Sequence, residues 1–133
     1  MNKQEITAIV TATFPANLPA NQKVAASMQL DPQLGTVTQQ QVPINESWVI
    51  DDVYVSASQT PDAILDFKKN LYTSLVRTNP INTLLVSNPS RPKIAKKVLG
   101  KGDILTIEAQ NLAAVGTAGA TITVYVTLVR FMS

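Results

Sequence analysis

The chain has no cysteine and no histidine. The first absence excludes disulfides and thiolate chemistry, and it leaves the redox compartment unreadable. The second removes the commonest general base, the usual partner of a catalytic serine and the commonest transition-metal ligand. Charged residues make up only 15% of the chain and aromatic residues 5%. Threonine, glutamine and asparagine carry the polar load instead, which suits a β-rich fold with neutral faces buried against neighbours. No apolar run approaches the roughly 20 residues of a membrane-spanning helix. With 133 residues the chain is long enough to bury a core without covalent staples, so a single domain over 1–133 is expected. No enzyme activity, cofactor, metal or small-molecule substrate is expected.

What is present is alternation with a period of two. Ile6, Ala8, Val10, Ala12 and Phe14 share one face, with Thr7, Thr11 and Thr13 opposite. Val24, Ala26, Met28 and Leu30 repeat the pattern, as do Leu105, Ile107 and Ala109. Near the end, Ile122, Val124, Val126 and Leu128 oppose Thr121, Thr123, Tyr125 and Thr127. A strand with one buried face requires this pattern, and threonine, valine and isoleucine are good strand formers. The first of these strands follows Lys3 and precedes Ala16 and Ala20, which gives it a superficial likeness to a secretion leader. Its threonines and Glu5 break the unbroken apolar stretch a leader needs. The mature protein is therefore expected to start at Met1 and to stay soluble in the cell that made it.

Weaker strands are expected over Thr36 to Ile44, Trp48 to Val55 and Asn82 to Ser87. Within the second of these, Trp48 and Ile50 share a face, yet Val53 and Val55 follow in the opposite phase; the change at Asp51-Asp52 predicts a β-bulge. Asp62 to Val76 reads as strand then loop, although Ile64, Phe67, Leu71 and Leu75 also fit one helical face. About eight strands without a long helix predict an all-β, antiparallel two-sheet sandwich, first of all a single jelly roll, with an immunoglobulin-like sandwich as the alternative.

Four chemical constellations come to little. Gly100-Lys101-Gly102-Asp103 lacks the spacing of a phosphate loop and predicts a turn into the strand at Ile104. Ser90-Arg91-Pro92-Lys93 spells a Ser-x-x-Lys pair, but Pro92 spoils the helical turn that would bring serine to lysine. Asp51, Asp52 and Glu108 have the oxygen groups of a glycosidase or a calcium site. Neighbouring aspartates on a strand point to opposite faces, however, so solvated bulge residues are the plainer reading. Asn45-Glu46-Ser47 matches a glycosylation acceptor without a secretion signal to go with it.

Charge is segregated along the chain. From Val24 to Phe67 there are acids and no base; from Lys68 to Gly102 there are bases and no acid. The basic stretch Arg91, Lys93, Lys96, Lys97 and Lys101 has no interleaved aromatics to stack on bases, so nucleic acid is not the expected partner. Carbohydrate binding needs exposed rings, whereas Trp48, Tyr54, Tyr72 and Tyr125 all suit core or half-buried strand positions. The two charge blocks either lie across from each other within one sandwich or occupy opposite flanks. In the second case they would join copies head to tail into a salt-sensitive ring, a pentamer or trimer, with Asp51, Asp52, Arg91, Lys93, Lys96 and Lys97 at the subunit interface.

The order of pieces from Trp48 onward resembles the single jelly-roll capsid proteins of membrane-containing icosahedral viruses of bacteria and archaea. The pieces are the strand Trp48-Val-Ile-Asp-Asp-Val-Tyr-Val55, the Asp66 to Asn70 strand end, and the proline-punctuated loop with Asn79-Pro-Ile-Asn82 and Asn88-Pro-Ser-Arg-Pro92. A glycine turn then leads into Gly102-Asp-Ile-Leu-Thr-Ile-Glu108, and the long Thr/Val strand Thr121 to Arg130 comes last. The resemblance covers about two thirds of the chain, in order and style rather than by a diagnostic motif. It implies a capsid, penton (vertex) or decoration protein, located in the virion or otherwise in the cytoplasm of the producing cell. Its partners would be copies of itself and other virion proteins.

Overall fold

The computed structural model describes residues 2–14, 18–30, 35–57, 63–70, 73–74, 84–85, 97–112 and 121–132. Among these residues every regular element is a strand. In chain order they are β1 (Asn2–Thr13), β2 (Lys23–Ala25), β3 (Ser27–Gln29), β4 (Gln40–Gln41), β5 (Glu46–Ala57), β6 (Ala63–Lys69), β7 (Thr73–Ser74), β8 (Leu84–Leu85), β9 (Lys97–Leu99), β10 (Ile104–Asn111) and β11 (Thr121–Met132).

The strands form two antiparallel sheets. The first runs β3-β1-β11-β5-β9; the second runs β2-β10-β6-β7, with β4 also against β10 and β8 also against β6. The pairing is nested: β1 pairs with β11, β2 with β10, β5 with β9, and β6 with β7. Side-by-side contacts of β11 with β5 and of β10 with β6 complete the sheets. This is the expected antiparallel two-sheet sandwich.

The core lies between the sheets and is built from the alternating positions. Ala8, Val10, Ala12 and Phe14 meet Ile122, Val124, Val126 and Leu128 in the first sheet; Leu65 and Phe67 meet Leu105, Ile107 and Ala109 in the second. Along the outer face of β1 and β11, Thr7 faces Thr127, Thr11 faces Thr123 and Thr13 faces Thr121. Such cross-strand threonine pairs suit a solvated pleat.

The bulge falls where the change of phase places it. Thr127 pairs with Asp52 and Leu128 with Ile50, so Asp51 is the extra residue. That one insertion lets Trp48, Ile50, Val53 and Val55 all reach the core. The segment over Ala63 to Lys69 is a strand, as favoured over the helix, and Asn70 ends it at φ 55°. The left-handed conformation is one that asparagine tolerates, and it lets the chain turn back so that Thr73 faces Lys69.

Two expectations are corrected. Val24 to Leu30 is not one strand: β2 pairs with β10 in the second sheet and β3 with β1 in the first. Ala26, fully buried, is the corner, and its N–H donates to the Ile107 carbonyl at 2.9 Å. Strands that change sheets at a bend are how sandwiches close their corners. Thr36 to Ile44 is also not a continuous strand. It holds a single bridge from Val37 to Met28 and the two-residue β4 beside β10, a pairing that Val42 extends by donating its N–H to the Asp103 carbonyl and that ends at Pro43, which has no N–H to give.

Candidate functional site

Of the six expected interface residues, Asp51 and Asp52 sit at the β5 bulge and Lys97 opens β9. Arg91, Lys93 and Lys96 lie outside the described residues. The β5–β9 register sets Lys97 opposite Ile50, next in sequence to Asp51. At this point the acidic and basic blocks adjoin within one subunit. Elsewhere too the blocks find partners in the same chain: Lys68 lies 3.2 Å from Glu108, Lys69 3.5 Å from Asp103, and Arg130 2.7 Å from Glu46. The carboxylates Asp52 and Glu108 do not converge, since they belong to different sheets and each is out of phase with its buried neighbours. No group of three or more metal-ligating side chains occurs among the described residues.

The Gly100 to Asp103 segment is the expected turn. Asp103 accepts from the Gly100 N–H at 2.8 Å, from Asn70 Nδ2 at 3.1 Å and from Lys69. The Asn70 bond leads in holding its carboxyl below the ordinary value of 3.8, against the opposing effect of burial. Asn70 in turn accepts the Ile104 N–H at 2.9 Å, so the turn is tied to the end of β6.

A cluster at one end of the sandwich was not anticipated. In β1 and β11 the inward phase that carries Ile6 and Leu128 continues outward to Gln4 and Arg130, where the first sheet runs on past its apolar core. Arg130 Nε donates to Glu46 Oε1 at 2.7 Å, and its Nη1 donates to Gln4 Oε1 at 3.2 Å. Trp48 Nε1 donates to the same Glu46 oxygen at 3.0 Å, and the guanidinium carbon lies 5.8 Å from the Trp48 ring centroid. The Arg130 hydrogen bond is the main reason that the Glu46 carboxyl sits below its ordinary value of 4.5, with burial opposing it. Charge-assisted bonds of this length and a cation over an indole lock three strand ends together.

Beside this cluster is a cavity of about 550 Å³, with Ile6, Met28, Leu30, Val37 and Trp48 among its apolar walls and Gln4 and Arg130 at its polar side. Its size falls in the range of ligand pockets, roughly 300–1,000 Å³. Trp48 is only 2% exposed, so it is a wall and offers no stacking platform. The sequence signal for the cluster was there: Gln4 and Arg130 are polar residues in the buried phase of their strands.

On the outer face of the first sheet, Ile9, Tyr125 and Tyr54 lie side by side across β1, β11 and β5. Tyr125 is 40% exposed, and its ring centroid is 6.1 Å from that of Tyr54. No helix among the described residues is long and apolar enough to cross a membrane. Compared with known proteins, the chain matches no protein-family model and no curated protein.

Proposed function

We propose that this protein is a non-enzymatic structural subunit of a virion, a capsid, penton or decoration protein whose fold is a single jelly roll. The observation that carries this reading is the nested strand order. A jelly roll is a long hairpin of four strand pairs wrapped into two sheets. Here β1·β11, β2·β10, β5·β9 and β6·β7 supply the four pairs, and they alternate between the sheets. The remaining short strands, β3, β4 and β8, attach at the sides of this frame. Jelly rolls are a recurrent shell-building domain, and the neutral threonine-rich faces suit burial against neighbours.

In this reading copies join into a cyclic pentamer or trimer and bind other shell proteins. The contact uses the β5–β9 side of the first sheet, where Asp51, Asp52 and Lys97 stand, together with Arg91, Lys93 and Lys96. Acid and base adjoin there, so each copy presents a mixed-charge edge rather than a flank of one sign. Light scattering of the purified protein tests the ring: a discrete mass of three or five subunits is expected, and a monomer at every protein concentration would overturn it. The paired substitution Lys96→Glu and Lys97→Glu should lower that mass without unfolding the subunit.

A carbohydrate-binding module is the second reading, favoured by one observation: the adjacent, partly exposed rings of Tyr54 and Tyr125. Binding to a glycan array that is lost in Tyr125→Ala would support it over the shell role.

A further inference from the structure

From the shape and charge of β1, we infer a second self-association surface: the free edge of its first half, which pairs antiparallel with the same edge of a second copy about a two-fold axis. β11 covers the whole of β1 on one side, but on the other β3 covers only Ile9, Val10 and Thr11. Among the described residues no strand pairs with Asn2 to Ala8 on that side.

Which backbone groups point outward follows from β3. Met28 spends both its N–H and its carbonyl on Val37, at 2.9 Å or less, and therefore faces away from β1. Its neighbours Ser27 and Gln29 must then bond to Thr11 and Ile9, the residues they face. The odd-numbered residues of β1 thus aim their backbone groups at the β3 side, and in the free half these are Lys3, Glu5 and Thr7. An edge with unspent N–H and C=O groups is a template for another strand.

The side chains select the strand. Two copies of one sheet edge pair antiparallel only about an axis perpendicular to the sheet, which puts outer face against outer face. A pairing centred on Lys3 sets lysine against lysine, and one centred on Glu5 sets glutamate against glutamate. Centred on Gln4, Lys3 faces the partner's Glu5 and Glu5 faces the partner's Lys3, in the positions whose backbones exchange hydrogen bonds. Lys3 and Glu5 are both exposed, and neither forms an ion pair among the described residues. A single-sign edge repels its own copy, whereas this Lys-x-Glu edge is complementary to itself. The contact lies at the opposite side of the first sheet from β9 and does not depend on the ring.

The test is charge reversal read by sedimentation or light scattering over a range of protein concentration. Wild type should double its mass, from monomer to dimer or from ring to paired ring. Lys3→Glu alone and Glu5→Lys alone should each weaken the doubling at least about tenfold, since two attractive pairs become two repulsive ones. The double reversal should restore it, and so should mixing the two single variants, which are complementary to each other. Amide exchange supplies a second reading. Lys3, Glu5 and Thr7 should become protected with rising concentration, while Gln4 and Ile6, bonded to β11, should be protected throughout. Absence of any doubling in wild type, doubling unaffected by Lys3→Glu, or no recovery in the mixture would overturn the inference. Loss of the ring with doubling intact would count against the β9 contact alone.

Discussion

At the scale of single residues, the most consequential polar group is Glu46. It accepts hydrogen bonds from Arg130 and Trp48 at once, and its side chain is nearly enclosed. Glu46→Ala should destabilise the fold by about 2 kcal/mol, the worth of hydrogen bonds to a charged group, measured by urea unfolding. Its pH dependence has a definite sign. The folded carboxyl binds its proton less readily than the unfolded one, so its contribution is complete above the ordinary value of 4.5 and drains away as the pH falls through the depressed folded value. Asp103 adds the same trend below 3.8. Acid titration of wild type against Glu46→Gln should therefore show the variant losing less stability between neutral pH and about pH 3. Thr106 is the opposite case. Its hydroxyl is buried, on the outward phase of β10, with no hydrogen-bond partner among the described residues. Thr106→Val should leave stability unchanged or raise it by up to about 1 kcal/mol; a clear loss would mean that the hydroxyl has a partner.

At the scale of elements, the bulge in β5 is the sharpest point of agreement between sequence and structure. Trp48 and Ile50 on one phase and Val53 and Val55 on the other cannot share a core unless one residue is looped out, and Asp51 is that residue. Deleting Asp51 forces one of the two pairs to face outward. The expected result is a protein that fails to fold cooperatively, seen as loss of the thermal transition and of near-ultraviolet dichroism. A deletion variant as stable as wild type would show that β5 slips past β11 at little cost. The corner at Ala26 was illegible for a related reason. Val24, Ala26, Met28 and Leu30 keep one phase through the corner, because both sheets face the same core. Periodicity records which way a side chain points but not which sheet its backbone bonds to. Thr36 to Ile44 is divided between two partners, Val37 bridging to Met28 of β3 and β4 pairing with β10, and no local pattern records that division.

At the scale of the whole molecule, several members of the charge blocks that stand out in the sequence are paired with charges elsewhere in the same chain. The β5–β9 register sets Lys97 opposite Ile50, while Lys68 and Lys69 reach Glu108 and Asp103, and Arg130 reaches Glu46. Apart from the enclosed Arg130–Glu46 pair, part-exposed ion pairs such as these contribute little, about 0–1 kcal/mol each. Raising the salt concentration should therefore change the unfolding midpoint only slightly, while slowing subunit association if the mixed-charge β9 edge guides it. Association kinetics that are flat from low to high salt would remove the electrostatic part of the ring contact.

The sequence by itself determined the long strands β1, β5, β10 and β11, the buried face of each and the place of the bulge. Those depend on side-chain alternation against a single apolar interior, which is written locally, and the missing histidine and cysteine narrowed the chemistry as directly. Only the tertiary structure decided which strands pair, that one apparent strand serves two sheets, and that Gln4, Glu46, Trp48 and Arg130 meet at one end. It also decided that, among the described residues, no strand pairs with the first half of β1 on the side away from β11. These are matters of long-range register, set by contacts between residues far apart in the chain; no window of sequence names the partners, and for the end cluster it shows only that Gln4 and Arg130 are polar residues in a buried phase.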